Sequence, residues 1–158
     1  MNIGRIGAAF VTLTITGWLG VMPAAAASGS VLDPRGDFPD ILKLAYVNGD
    51  TAVNMTMTYA EVTDAQNESF YLHWGTNGDN YQVFESRGVG LRELRYNSRK
   101  VACAGLRVIH RDAYDKTKVV IPRSCINKAP NALRFKGIAT AGLSLLDQTK
   151  KSPLTARG

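Results

Sequence analysis

Apolar and polar residues alternate over short segments through most of this chain, and this pattern limits the possible folds more than any other feature. In the clearest segment, Thr51 to Val62, an apolar residue occupies every second position from Val53 to Tyr59, with Asn54 and other polar residues between them. A period of two residues is that of a β-strand with one face in a core and the other in water. The chain is therefore expected to be all-β.

The other alternating segments are short and end at turn signals such as Asn48-Gly49. About eight strands are predicted, spaced roughly 10 residues apart, which is typical of a two-sheet antiparallel β-sandwich. The predicted strands cover residues 41–47, 51–62, 69–75, 81–85, 91–96, 101–110, 118–121 and 132–140. Residues 143–158 have no convincing pattern and are predicted to form a crossover followed by a loose terminus.

Residues 1–27 have the three parts of a helical secretory signal peptide. A positive residue precedes an uncharged apolar stretch of 17 residues, Ile6 to Met22, and Pro23 then leads into alanines that fit cleavage after Ala26 or Ala27. The alternative is an uncleaved anchor, but the stretch is short for a span of about 20 apolar residues. We expect a secreted protein whose mature chain, residues 28–158, is one β-sandwich domain without a transmembrane segment.

The two cysteines, Cys103 and Cys125, allow only one intramolecular pairing. In an exported chain the default for such a pair is a disulfide. It closes a loop of 21 intervening residues, and chain-entropy reasoning assigns about 3 kcal/mol of stabilisation to a loop of that size.

Three stretches spanning most of the mature chain carry a resemblance to a known group. They are Asp33 to Asp37 with Asp40-Ile41, the Cys103 strand with the loop Asp112 to Asp115, and Val119 to Ile126 with Pro130 and Leu133-Arg134-Phe135. The chain resembles small exported proteins of actinobacterial type without an assigned activity, which look like β-sandwiches related to DOMON domains and family-9 carbohydrate-binding modules. The resemblance implies the sandwich fold and the disulfide, and it implies no activity.

Three carboxylates, Asp33, Asp37 and Asp40, fall within eight residues around Pro34 and Gly36. Calcium takes six to eight oxygen ligands, so this segment is a candidate calcium site, with Asp147 as a further ligand. The spacing is not that of an EF-hand loop. The alternative is a solvated turn in which the aspartates accept hydrogen bonds from local amides.

Aromatic side chains suggest a second candidate site. Alternation places Tyr71 and His73 on the face opposite Phe70, Leu72 and Trp74. An exposed aromatic platform suits stacking on a sugar ring or contact with an apolar ligand. The alternative is that these rings lie at the rim of the core with their polar atoms in water.

Charge is distributed unevenly along the chain. Residues 33–85 contain nine acids and two bases (net −7), whereas residues 86–158 contain four acids and sixteen bases (net +12). Arg92, Arg95, Arg99 and Lys100 cluster on one predicted hairpin and are candidates for binding an anionic envelope polymer. The alternative is that the two halves interleave and that opposite charges on neighbouring strands neutralise each other.

No catalytic motif is evident: the chain lacks G-x-S-x-G, H-E-x-x-H and P-loop patterns, and His73 and His110 lie on different predicted strands. We therefore expect a non-enzymatic binding or structural module of the envelope or medium, with no cofactor beyond calcium and no nucleic-acid partner. A small hydrolase is the alternative. It requires a pocket in which His73 or His110 meets a carboxylate and a hydroxyl.

Overall fold

A computed structural model of the chain describes residues 27–34, 36, 40–76, 78–141 and 144–158. Apart from Ala27, the predicted signal peptide lies outside the described residues, as does Asp37 of the predicted calcium site. Within these ranges, no helix has the length and apolar character needed to cross a membrane.

The described part of the chain is nearly all β, as alternation predicts. Its two helices are single 3₁₀ turns, Asp112–Tyr114 and Arg123–Cys125. The eleven strands are β1 (Ala27–Leu32), β2 (Ile41–Asn48), β3 (Ala52–Tyr59), β4 (Gln66–His73), β5 (Asn80–Ser86), β6 (Leu91–Tyr96), β7 (Arg99–Val101), β8 (Arg107–Arg111), β9 (Lys116–Pro122), β10 (Arg134–Ala141) and β11 (Ser144–Gln148).

The strands form two antiparallel sheets. Sheet A has the order β1-β2-β3-β9-β8, and sheet B has the order β11-β10-β4-β5-β6-β7. Each sheet places one face in a shared core, where Tyr46 of β2 stacks on Phe135 of β10 with ring centroids 4.5 Å apart. The sandwich prediction is confirmed at this level.

The predicted count of about eight strands is wrong, because the alternation of apolar and polar residues did not identify three of the strands. β1 lies at the predicted signal boundary, and β11 lies in the segment that was predicted to lack alternation. The strand predicted over residues 101–110 is two strands, β7 and β8, separated by a turn in which Gly105 adopts a φ of 87°. A positive φ interrupts a strand, and glycine adopts it at little cost.

The inner faces carry the alternating apolar residues. Val53, Met55 and Met57 of β3 are fully buried, as are Phe70 and Leu72 of β4. Complete burial of one such side chain contributes about 1.5–3 kcal/mol. The alternation that identifies the strands therefore also identifies the core.

The predicted disulfide is present between Cys103 and Cys125, whose Cα atoms lie 5.1 Å apart. Cys103 lies in the turn between β7 of sheet B and β8 of sheet A, and Cys125 ends the 3₁₀ turn that follows β9. The disulfide therefore links the connection between the two sheets to the segment that follows β9, an inner strand of sheet A.

The acidic and basic halves of the chain interleave in both sheets. β3 pairs with β9, and β4 pairs with β10. Ion pairs join the two halves at Arg87–Glu68 (3.3 Å), Arg92–Glu85 (3.3 Å) and Arg157–Asp50 (2.7 Å). Much of the charge asymmetry along the sequence is therefore compensated in space.

Candidate functional site

The outer face of sheet B holds one row of polar and aromatic side chains. Strand register places them side by side across five strands, from β10 through β4, β5 and β6 to β7. In order they are Lys136, Tyr71, Gln82, Arg95 and Lys100, and we call them the sheet B row.

Tyr71 and His73 project from the same face of β4 and form a stacked pair. Their ring centroids lie 5.3 Å apart, and the rings are inclined by only 10°. Both side chains are half-buried, while Phe70 and Leu72 on the opposite face are fully buried. Trp74, by contrast, contacts Tyr81 and Tyr96 at the margin of the core.

Burial, as the largest cause, and the nearby positive charges of Lys151 and Lys136 together lower the pKa of His73 from 6.5 to about 4. The imidazole is therefore neutral at pH 7. Its Nε2 atom is buried and has no hydrogen-bond partner among the residues that the structure describes. The aromatic pair is thus an uncharged surface beside lysines.

The predicted polyanion-binding residues do not form one patch. Arg95 and Lys100 lie on the outer face, but both pair with Glu93, at 2.8 Å and 3.0 Å. Hydrogen bonds from these two cations lower the pKa of Glu93.

The other two predicted cations lie elsewhere. Arg92 lies across the strand pair from the buried Glu85, with Nε 3.3 Å from a carboxylate oxygen. Arg99 pairs in register with Tyr96 on the edge strand. The structure therefore separates the four residues and places three of them against two carboxylates, Glu93 and Glu85.

Of the aspartates in the predicted calcium site, Asp33 and Asp40 lie close enough for their charges to interact, and Asp37 lies outside the described residues. Burial raises the pKa of Asp33, and the negative charges of Asp147 and Asp40 raise it further. Asp147 accepts a hydrogen bond of 2.6 Å from the Ile41 amide, whereas Asp33 Oδ2 and Asp40 Oδ1 are buried without a partner among the described residues. Within the described ranges, no three His, Cys, Asp or Glu side chains converge on a metal-ligand position.

A buried ionic network between the sheets was missed by the sequence analysis. Glu68 and Glu85 are register partners on the inner face of sheet B, and both are fully buried. Glu68 accepts hydrogen bonds from Thr117 of sheet A (2.8 Å) and from Arg87 (3.3 Å). Glu85 lies 3.0 Å from Nε2 of His110. The sequence predicts that β4 begins at Ser69, whereas the strand begins at Gln66. The alternating pattern therefore extends to Glu68, which lies outside the predicted strand.

This network brings together the groups that the hydrolase alternative requires. His110 lies between Glu85 and Thr117, with Nδ1 3.4 Å from the threonine hydroxyl. That hydroxyl is fully buried, donates to Glu68 and accepts a 2.7 Å hydrogen bond from Arg87. A nucleophilic hydroxyl must donate its proton to the catalytic base, and its oxygen must be accessible to the substrate. The Thr117 hydroxyl meets neither condition in this arrangement.

No protein-family model and no curated protein matches this chain. The resemblance to DOMON domains and family-9 carbohydrate-binding modules stays a prediction that rests on sequence features. The surfaces described above are therefore the basis for a functional proposal.

Proposed function

We propose that this chain is a secreted, non-enzymatic β-sandwich that binds carbohydrate on the outer face of sheet B. The observation that carries the proposal is the stacked Tyr71–His73 pair, which lies in the middle of that face. The proposed setting is the cell envelope or the surrounding medium.

The chemistry of this face suits a sugar ring. A sugar offers an apolar C–H face and a rim of hydroxyls, so it needs an aromatic surface with hydrogen-bonding groups beside it. Tyr71 supplies the aromatic surface and has only two side-chain torsions to fix on binding. Its register neighbours Lys136 and Gln82 lie on either side, and although they donate to Gln148 and Ser69, each side-chain nitrogen has a further N–H to offer.

The buried network supports binding over hydrolysis. Thr117 is fully buried, and its hydroxyl is engaged by Glu68 and Arg87. A polar network that joins two sheets contributes to a unique packing arrangement without acting on a substrate. His110 and Glu85 are accordingly assigned a structural role in this proposal.

Affinity electrophoresis through gels containing neutral glucose-, galactose- or N-acetylglucosamine-based polysaccharides tests the proposal. At least one polysaccharide is expected to retard the full exported chain, and Tyr71→Ala is expected to weaken that retardation about tenfold, as loss of a buried aromatic contact does. Tyr114→Ala is the matched control, because Tyr114 is an exposed tyrosine on a 3₁₀ turn away from sheet B.

Two outcomes contradict the carbohydrate proposal. One is equal retardation of the wild type and Tyr71→Ala by every polysaccharide, including the case of no retardation at all. The other is release of reducing ends from a polysaccharide by the wild type, with loss of that activity in His110→Gln, which identifies the hydrolase alternative.

Calcium binding at Asp33, Asp37 and Asp40 remains a prediction. The two buried, unpartnered carboxylate oxygens of Asp33 and Asp40 favour a cation near this turn, and Asp147 adds negative charge there. A ligand that binds only the folded state raises the melting temperature. The wild type is therefore expected to melt higher in millimolar calcium than in chelator, with a smaller difference in Asp40→Asn, and identical wild-type melting curves would exclude the site.

A further inference from the structure

A shallow groove runs across the outer face of sheet A, on the opposite side of the sandwich from Tyr71. It has a volume of about 470 Å³ and is lined by residues of β1, β2, β3 and β9. Its polar lining consists of Ser28, Ser30, Lys43, Asn54, Thr56 and Lys118. Gly29, Ala45, Tyr46 and Val47 form the rest of its lining.

The register of β1 depends on a close approach at Gly29. Gly29 lies opposite Tyr46 in the strand pair, and a Cβ atom there would overlap the tyrosine hydroxyl group. Because only glycine leaves room for that ring, β1 is fixed with Ser28 and Ser30 facing outward. The packing of Tyr46 against Gly29 therefore places the hydroxyl groups of Ser28 and Ser30 on the outer face, where they line the groove.

Sheet A is positively charged without internal compensation. Its five strands contain no aspartate or glutamate. They contain five lysines and arginines on the outer face, at Lys43, Arg107, Arg111, Lys116 and Lys118. None of the five forms an ion pair with another residue in the described ranges, in contrast to Arg95 and Lys100 on sheet B.

The spacing of these cations favours a polymer over a single small anion. Lys43 and Lys116 lie in the same register row on strands that are two positions apart, which separates their backbones by about 10 Å. Arg111 continues this row onto the edge strand. One small anion cannot contact all of these groups, whereas an extended chain with repeated acidic groups can.

The uncharged lining distinguishes among polyanions. Ser28, Ser30, Asn54 and Thr56 offer hydroxyl and amide groups that pair with hydroxyls of a ligand. Tyr46 is the one aromatic residue in the groove lining, and it is only 6% exposed with its ring stacked on Phe135 in the core, so the groove has no platform for stacking nucleic-acid bases. A polyhydroxylated polymer with acidic groups matches both features.

We propose that the outer face of sheet A binds an anionic polysaccharide, whose acidic groups contact Lys43 and Lys118 and whose hydroxyls contact Asn54 and the groove serines. Lys116, Arg111 and Arg107 extend the contact along the polymer beyond the groove. This surface is separate from the Tyr71 face, and the two bind independently.

Polygalacturonate and its methyl ester are suitable probes, because they share one sugar backbone and differ in charge. The full exported chain is expected to bind polygalacturonate at low salt, with an affinity that falls steeply as salt rises, and to bind the methyl ester at least tenfold more weakly. Lys43→Gln/Lys118→Gln is expected to weaken binding about tenfold and to make the salt dependence shallower. Asn54→Ala is expected to weaken binding a few-fold at unchanged salt dependence.

Arg99→Gln/Lys100→Gln is the matched control, since it removes two charges from the edge of sheet B. It is expected to bind polygalacturonate as the wild type does. Any of four results overturns the proposal: no binding at low salt, equal loss in the Arg99/Lys100 control, equal binding of the methyl ester, or tighter binding to anionic lipid vesicles or single-stranded DNA than to polygalacturonate.

Discussion

At the scale of single residues, burial decides which ionisable groups act as charges. His73 is held neutral beside Tyr71, and Lys136 and Lys151 oppose its protonation. Glu68 is fully buried, and burial raises its pKa, although Thr117 and Arg87 partly offset this effect. The outer face of sheet B is therefore less charged than its sequence suggests, and the interior is more polar.

The lowered pKa of His73 predicts a specific loss of stability in acid. Because the histidine pKa is 6.5 in the unfolded chain and about 4 in the folded chain, the unfolded state binds more protons between these pH values. Acidification from pH 6.5 to pH 4 therefore favours unfolding. In His73→Gln the fall in melting temperature over this window is expected to be smaller than in the wild type, and equal falls would contradict the assigned pKa.

Arg87 is expected to be the most sensitive position in the buried network. Its side chain is only 6% exposed and contacts the fully buried Glu68, so Arg87→Met leaves an unpaired charge in the core. The loss is expected to be about 3–5 kcal/mol in the free energy of unfolding, measured by urea denaturation.

The matched control for Arg87 is Arg157→Met, because the Arg157–Asp50 pair is exposed and such pairs contribute about 1 kcal/mol or less. Arg87→Met/Glu68→Gln is expected to recover part of the loss. Equal small effects of the two arginine substitutions would show that the network does not stabilise the fold.

At the scale of elements, the predictable strands are those with large apolar residues on one face. β3 is read directly from Val53, Met55 and Met57. β1 could not be found in this way, because its inward position opposite Tyr46 is Gly29, which has no side chain to produce a pattern. The groove on sheet A could not be predicted for a related reason. Its lysines are remote in sequence, and only the strand register places them on the same face of the sheet.

The disulfide belongs to this scale, because it joins a crossover to a strand exit. Cys103→Ala/Cys125→Ala is expected to lower the free energy of unfolding by about 2–4 kcal/mol, since the open chain regains conformational freedom when it unfolds. Reducing agent is expected to lower the melting temperature of the wild type and to leave that of the double variant unchanged. A wild-type melting temperature that is insensitive to reduction would contradict a structural role.

At the scale of the whole molecule, the two sheets present different chemistry on opposite sides of one core. Sheet B exposes the uncharged Tyr71–His73 pair, and its Arg95 and Lys100 pair with Glu93, whereas sheet A exposes cations without carboxylate partners in the described ranges. Alternation alone places Tyr71 and His73 on an outer face. Their stacking and the neutrality of His73 could not be predicted, because both depend on residues distant in the sequence, such as Lys136 and Lys151.

The most direct test of the proposed function is to map where sugar binds. The isotope-labelled exported chain is titrated with oligosaccharides prepared from the neutral polysaccharide that retards it, and amide and histidine-ring NMR signals are followed. The expected shifts cluster at Tyr71, His73, Gln82 and Lys136, with little change on sheet A. Shifts confined to other surfaces, or no shifts with any oligosaccharide, would contradict the assignment of the sheet B face.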